Sequence, residues 1–599
     1  MFNKWLNENN IHDFDFSGTL FPNASARSFW ETKYQAAAVA YAQQFLNFDW
    51  PLMKATDFMA FNLTGNRLQQ ETPHFARRKA MVSLVIAEVL EHKGRFIPDI
   101  VDGIFAICEE TFWGISTHYP PARFGNNIPS ASDHYVDLFA AETAELLSVT
   151  YYLLYEDLYS FCPEILQRLE YEVDRRILVP YLNHTDYHWM GYHETASNWT
   201  TWILSNVLTV LLLMEKSRVT FDLTLKKMMK ELQHYYDCMP EDGGCDEGIS
   251  YWVLAGGKLF EFCDQLYRVT GGKINLFEDP KFRNIQTYPC RAYIGKDFFV
   301  NFADGRSRMS DNMDYVLYAN GLRLGEPSLC ALAKSLATYQ ARQPGFYGAK
   351  MKYALYSLIY QDEIAAQPEY TPDNTHILPQ LQASFLRQGK WFVGAKGGHN
   401  GERHNHNDVG SFIAYYENSP VLIDPGTGTY TKQSFTSERY NIWNMQSAWH
   451  NLPLINGIQQ KNGREFACEH FACDGSATDI RFAAAYPEEA GVEALTRRVR
   501  IRNDGICLTD RFSFRTSQNA VEEHFSTTLP VRIDGSRVIL DDRFVLSAQN
   551  ATGIRLDHVS FEGDPVYIRC WKTEGVNRIC FLFDTGKDAD ITVYLHELK

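Results

Sequence analysis

The chain is 599 residues long, 45% hydrophobic and 22% charged, with a formal charge of −16 at pH 7. That length and balance exclude a disordered or fibrous polymer and imply two or more folded domains with large cores. The acidic excess argues against nucleic acid or an anionic membrane as the main partner, although a local basic cleft in an acidic protein still accepts an anionic substrate.

Met1 to Asn10 carry no apolar stretch and no small-residue cleavage site. The expectation is a cytoplasmic protein, or a periplasmic or secreted one if a leader has been trimmed. Sequons at Asn23, Asn62, Asn183 and Asn198 are then chance matches. Twelve scattered cysteines without a Cys-x-x-Cys pair predict reduced, mostly buried thiols.

From about residue 28 to 360 the hydrophobic period is helical. Ser132-Asp133 is the expected cap of a helix whose inward stripe includes Val136, Phe139, Ala140, Thr143, Leu147, Thr150 and Leu154. Pro163-Glu164 opens another, through Leu166, Leu169, Val173 and Ile177. Trp199 to Met214 is apolar nearly all round, as in an inner layer, but too short and too polar for a membrane span. Ile249 to Thr270 reads as one helix stopped by Gly271-Gly272. Many helices joined by aromatic-rich loops suggest stacked antiparallel hairpins closing into a toroid.

Two polar segments stand out in this half. His193-Glu194-Thr195-Ala196-Ser197-Asn198 leads into the apolar helix, and Asn198 reads either as its N-cap amide or as a site residue. Glu241-Asp242-Gly243-Gly244 is a turn, and Glu247 stands near a helix entrance. Tyr251 and Trp252 follow on the early turns, where a packed core aromatic is the ordinary reading.

Gln361 to Pro379 is the natural linker, and beyond about residue 380 the period becomes two. Ser384 to Lys396, Phe412 to Tyr416 and Arg498 to Arg502 alternate between turn signals at Asn418-Ser419-Pro420, Asn503-Asp504-Gly505 and Asp534-Gly535-Ser536. The expected architecture is a multidomain α + β chain, with a helical (α/α) toroid domain over 1–365 and an antiparallel β-sandwich over 380–599.

The β half opens with His404-Asn405-His406-Asn407-Asp408, followed by Asp424-Pro425-Gly426 and His450-Asn451. If the first run is extended, His404, His406 and Asp408 share one face. Two histidines and an aspartate suit zinc or a similar divalent ion; a polar hairpin with a solvated edge is the alternative.

Taken together, Asn198-Trp199-Thr200-Thr201-Trp202, Asp242-Gly243-Gly244 through Tyr251-Trp252, His404 to Asp408 with Asp424-Pro425-Gly426, and His450-Asn451 resemble the heparinase II/III-like polysaccharide lyases, glycosaminoglycan branch, over about residues 130 to 460. The resemblance implies an incomplete (α/α) toroid followed by antiparallel β-sandwich layers. It also implies β-elimination beside a uronic acid, leaving an unsaturated sugar. Asn198 matches the amide that neutralises the uronate carboxylate. Tyr251 matches the tyrosine acid, which in some substrates is also the base. His404 matches a cleft histidine that aids neutralisation or serves as base for the other C5 epimer, and His193 is a further base candidate. His406, Asp424 and His450 match a metal triad, for which zinc or manganese in a structural role is expected. Asp408 is expected in a supporting or turn position, Glu247 as a helix cap or as an orienter of Tyr251, and Arg403 as solvated or substrate-facing.

The implied partner is a uronic-acid-containing oligosaccharide or polysaccharide: hyaluronan, chondroitin or heparan sulfate, with alginate-type oligouronates as the alternative. A homo-oligomer is compatible with the sequence but not specified by it. Three other classes compete: a glycoside hydrolase using Asp242, Asp246 or Glu247, a non-catalytic carbohydrate-binding protein, and a hydrolase using the His/Asp metal.

Overall fold

A computed structural model describes residues 1–119, 128–309, 313–339, 343–372 and 375–598. The chain forms two compact units. Unit 1 comprises Met1–Met239, Val253–Phe282 and Asn312–Glu369; unit 2 comprises Pro240–Trp252, Arg283–Asp311 and Tyr370–Lys599. The expected 1–365 and 380–599 division meets this one near Glu369, but unit 2 also takes two segments from within the helical half.

Unit 1 is helical among its described residues. The Asn198–Met214 helix packs between Leu138–Leu153 and Gly256–Val269 and is buried on nearly every face, as its composition requires. No described helix is long and apolar enough to cross a membrane. All twelve cysteines are free thiols.

Three expectations need correction. The cap of the Leu138–Leu153 helix is Asp137, whose side chain accepts the Ala140 N–H at 2.7 Å, not Ser132-Asp133. The preceding carbonyls of His134 and Val136 are held by Tyr187 Oη and Trp189 Nε1 at 3.2 and 3.0 Å, which keeps that stretch out of a helix. Ile249–Thr270 is not one helix: Ile249–Trp252 stops, and Gly256–Val269 starts anew after Ala255. The Leu254 carbonyl at the break accepts from Thr201 Oγ1 at 3.1 Å. The linker is shorter than Gln361–Pro379, because the Met351–Ala365 helix runs into it and a strand begins at Thr375.

Unit 2 carries the strands. A hairpin of β1 (Tyr293–Gly295) and β2 (Phe298–Phe299) precedes a five-stranded antiparallel sheet in chain order: β3 (Thr375–Leu378), β4 (Ala383–Gln388), β5 (Trp391–Lys396), β6 (Phe412–Tyr416) and β7 (Ser419–Leu422). Glu417 and Asn418, both at positive φ, make the tight turn between β6 and β7. After β8 (Pro453–Ile455), β9 (His470–Cys473), β10 (Ala477–Arg481), β11 (Val492–Arg502), β12 (Gly505–Phe514) and β13 (Asn519–Thr527) come β14 (Val531–Asp534), β15 (Arg537–Leu540), β16 (Phe544–Ala548), β17 (Gly553–Ser560), β18 (Gly575–Thr585) and β19 (Asp588–Glu597). They build an eight-stranded sheet, β14-β15-β16-β19-β12-β11-β10-β9, and a four-stranded sheet, β17-β18-β13-β8.

One core joins the sheets, with Leu386, Val393, Phe412, Leu495, Val499, Phe525 and Phe581 among its members. β5 and β6 are buried at every position, so strict alternation there marks strands covered on both faces rather than a wet outer face. Inside this core lies Arg497, fully buried against Asp510 at 2.6 Å and Glu523 at 3.2 Å. Its other arm donates to the carbonyls of Gly410 and Asn451, tying two site segments to the sandwich.

Candidate active site

The segment 397–411 connects the paired strands β5 and β6 and is a loop. His404-to-Asp408 is therefore not the extended run the alternation predicted. His404 takes φ +54°, outside the β region. Polar side chains stitch the loop instead. Asn405 Nδ2 donates to the Asn400 carbonyl at 2.9 Å, and Asn400 Oδ1 accepts the Asp408 N–H at 3.2 Å. Asp408 meets Lys396 Nζ at 2.8 Å and Lys396 meets Glu402 at 3.1 Å, so Asp408 anchors the loop and faces away from the two histidines' shared partner.

That partner is Asp304, fully buried, from the segment after β2. Its Oδ2 accepts from His404 Nδ1 at 2.7 Å and from Tyr430 Oη at 2.7 Å. Its Oδ1 accepts from His406 Nε2 at 3.0 Å and from Arg439 Nη2 at 2.8 Å. Burial opposes ionisation, but the two imidazole hydrogen bonds outweigh it and hold this carboxyl well below the usual range. A carboxylate only accepts, so His404 carries its proton on Nδ1 and His406 on Nε2.

Tyr251 completes the group. Its ring stacks on His404, centroids 4.1 Å apart, and its Oη lies 2.7 Å from Tyr430 Oη. Burial, then the Asp304 charge, push the Tyr251 phenol above its ordinary value, so it is held protonated. Burial lowers the His404 pKa, but the Asp304 hydrogen bond and charge, with Glu247 behind them, raise it overall. Glu247 Oε2 lies 3.7 Å from His404 Nε2 and its Oε1 3.8 Å from Arg403 Nη1. Glu247 thus faces the imidazole rather than Tyr251, and Arg403 is ion-paired rather than simply solvated.

His406, Asp424 and His450 converge, each with no solvent exposure, their ligand atoms within 4.8 Å of one another. His450 donates from Nε2 to the Asn444 carbonyl at 3.0 Å and from Nδ1 to Asp424 Oδ2 at 2.8 Å, so the ring is doubly protonated as it stands, and the Nδ1 proton is the one a bound cation would replace. His406 Nδ1 is bare and buried with no hydrogen-bond partner. One unpartnered imidazole nitrogen and an imidazole–carboxylate pair meet in one dry place, and both Nε2–H groups have the outer acceptors that metal-bound imidazoles use. The residues fit a divalent ion. A second group, Glu522, His524 and Cys580, has similar ligand chemistry, but the Arg555 guanidinium already sits 2.7 Å from Glu522 and 3.5 Å from Cys580.

Asn198 and His193 belong to unit 1. Asn198 is buried and is the first residue of its helix, but the cap is Ser197. The Ser197 Oγ accepts the Trp199 N–H at 3.4 Å, and its own N–H meets Thr200 Oγ1 at 3.3 Å. The capping reading of Asn198 is thereby removed. The neighbouring Trp199 ring packs against His118 and His188, at 4.6 and 4.8 Å. His193 is exposed on the turn before the helix. Asp242, a candidate hydrolase acid, spends its carboxylate on backbone: Oδ2 accepts the N–H groups of Gln380 and Leu381 at 2.7 and 3.0 Å, and Oδ1 that of Gly244 at 2.9 Å.

Residues 378–557 match the family model described as Heparinase II/III-like, C-terminal. This segment is similar to heparinase II/III-like C-terminal domains. Among solved structures, a heparinase III has 12% identity and a TM-score of 0.64, with 94% of this chain and 85% of that one covered. A heparan sulfate lyase from Pedobacter heparinus has 11% identity, TM-score 0.60 and coverage of 100% and 87%. A Streptomyces coelicolor A3 chondroitin AC lyase in complex with chondroitin sulphate has 12% identity, TM-score 0.52 and coverage of 96% and 82%. At such identities the likeness is one of fold, a helical toroid with antiparallel β layers. No curated protein sequence matches.

The matched segment contains His404, His406, Asp424, Tyr430, Arg439 and His450, whereas Tyr251 and Asp304 come from segments before it. Asp304, Tyr430 and Arg439 escaped the sequence reading. Asp304-Gly305 looks like any other Asp-Gly turn of the chain, such as Asp474-Gly475 or Asp534-Gly535. Tyr430 carried the better signal, standing in a Gly/Thr-rich stretch six residues after Asp424.

Proposed function

We propose that the protein is a carbon-oxygen lyase that cleaves uronic-acid-containing glycans by β-elimination. The observation that carries this reading is the pairing of a protonated phenol, Tyr251, with an imidazole, His404, stacked face to face and joined through Tyr430 and Asp304. Elimination needs a base for the C5 proton and an acid for the departing O4. Asp304 takes the His404 Nδ1 proton and leaves Nε2 as the base, the arrangement in which a carboxylate orients and stabilises an imidazole. Asp304 and Glu247 then stabilise the imidazolium. Tyr251 gives its proton to O4.

Uronate neutralisation is assigned to the Asn198 amide, buried at the first turn of its helix. His193 remains an alternative base. His406, Asp424 and His450 would hold zinc or manganese, a cation that braces the loops carrying His404 and Tyr430. Its chemistry there is electrostatic and structural, since elimination consumes no water.

Glycosaminoglycans are the preferred substrates. Support comes from the family of the C-terminal domain and from structural neighbours named as a heparinase, a heparan sulfate lyase and a chondroitin lyase. Alginate-type oligouronates are the second choice. A toroid hydrolase is disfavoured because Asp242 is committed to backbone hydrogen bonds.

The test is near-ultraviolet absorbance during incubation with hyaluronan, chondroitin, heparan sulfate and alginate oligosaccharides. A conjugated 4,5-unsaturated product is expected from at least one. Tyr251→Phe, which keeps the ring on His404, should lower kcat by about 100- to 10,000-fold. Cleavage without absorbance would show a hydrolase.

A further inference from the structure

The hydrogen-bond chain through Tyr430 has a fixed direction. Asp304 is acceptor-only, so the single Tyr430 proton goes to Asp304 Oδ2, at 2.7 Å. Across the 2.7 Å gap between the phenols, Tyr251 must then be the donor and Tyr430 the acceptor. Tyr430 is half-buried, with its ring packed on Phe435, centroids 5.3 Å apart. Asp304 does not depend on Tyr430, because His404, His406 and Arg439 still donate to it.

This arrangement suits a switch. Resting on the lyase reading above, we infer that Tyr430 is a positioning residue that accepts the Tyr251 O–H hydrogen bond before reaction and donates its own O–H to the Tyr251 phenolate as the leaving group departs.

In that step the C5 proton passes to His404 Nε2, and the C5–H electron pair forms the C4=C5 bond. The C4–O4 bond breaks, and O4 takes the Tyr251 proton. The negative charge on Tyr251 Oη then has a donor 2.7 Å away once the Tyr430 O–H rotates off Asp304, whose three remaining donors keep it satisfied. A hydroxyl rotor needs no movement of heavy atoms. Without it the phenolate would form beside a buried carboxylate, whose charge opposes it.

The experiment uses full-length protein, Tyr430→Phe, and two substrates. One is the uronate oligosaccharide that wild type cleaves to unsaturated product. The other is a uronide carrying a 4-O-nitrophenyl group, which leaves without acid assistance. Tyr430→Phe should lose about 10- to 100-fold in kcat on the oligosaccharide, the size of a lost charge-assisted hydrogen bond. KM should stay near the wild-type value, and the aryl substrate should lose less than about threefold.

Equal losses on both substrates, or a change in KM alone, would show a merely structural residue and overturn the inference. So would wild-type kcat on the oligosaccharide. If Tyr430→Phe melts early, 3-fluorotyrosine at position 430 keeps ring and hydroxyl while making a stronger donor. It should raise oligosaccharide kcat at fixed KM, and no change would refute the switch. If wild type gives unsaturated product from neither substrate, the lyase reading fails and this inference falls with it, whereas product from wild type with an indifferent Tyr430→Phe sinks the switch alone.

Discussion

Asp304→Asn is the sharpest probe of the site, because the replacement is nearly isosteric and its amide has only one way to fit. Each Asp304 oxygen receives two donors: His404 and Tyr430 on Oδ2, His406 and Arg439 on Oδ1. An asparagine must place its NH2 on one side. Arg439 has no lone pair to accept with, so the NH2 goes to the His404 and Tyr430 side. His404 then shifts its proton to Nε2 and accepts on Nδ1, which removes the base. Tyr430 accepts from the amide and turns its own proton toward Tyr251, which reverses the chain.

Catalysis therefore loses its base and its directed acid together, about 1,000-fold or more in kcat. Stability falls by about 3 kcal/mol, the scale for removing one partner from a buried charge pair, since Arg439 keeps only neutral acceptors, the new amide oxygen and the Asn405 and Ser434 carbonyls. The kinetics are read by product absorbance and the stability by denaturant unfolding. A variant retaining kcat within about threefold of wild type would refute the role given to Asp304, and so would a stability loss with unchanged kinetics.

Three further outcomes are expected. Protein purified without chelator should carry about one equivalent of zinc or manganese per chain; His406→Ala should lose it, and free ion at 1,000 times Kd should raise stability by about 4 kcal/mol, read by elemental analysis and thermal unfolding. Asn198→Ala should lower kcat/KM about 100- to 1,000-fold without weakening its helix, whereas Ser197→Ala should cost about 1 kcal/mol of stability and spare kinetics; the reverse pattern would return Asn198 to the cap. In unit 1, burial works to raise the Glu261 pKa, but the Lys258 and Lys352 ammonium groups outweigh it and bring it to about 2. A carboxyl depressed on folding stabilises above its unfolded pKa and loses that contribution as pH falls, here between about 4.5 and 2, amounting to about 3 kcal/mol. Glu261→Gln should therefore flatten the acid limb of stability measured by urea unfolding.

Much of the candidate site was legible because its chemistry is local in sequence. His404, His406, Asp424 and His450 stand in short polar motifs between apolar strands, and the change of period near residue 380 separates helices from strands. The extended alternative for His404 to Asp408 fails because alternation of polar types is also what a loop shows when its polar side chains stitch it to itself, as Asn400, Asn405 and Asp408 do. Ile249–Thr270 was misread as one helix because its break depends on a distant hydroxyl, Thr201, taking the Leu254 carbonyl.

Periodicity determined the fold class and residue type offered a His/Asp ligand set, since those follow from side-chain chemistry and chain-local geometry, whereas Tyr251 and His404 were singled out by the family resemblance. Only the folded chain decided that Asp304, distant in sequence, is the common acceptor for four donors, that Ser197 rather than Asn198 caps the helix, and that Tyr430 stands between Tyr251 and Asp304. Hydrogen-bond direction in a dry site depends on which acceptor-only and donor-only groups meet, and that meeting is made by tertiary packing, not by spacing along the chain.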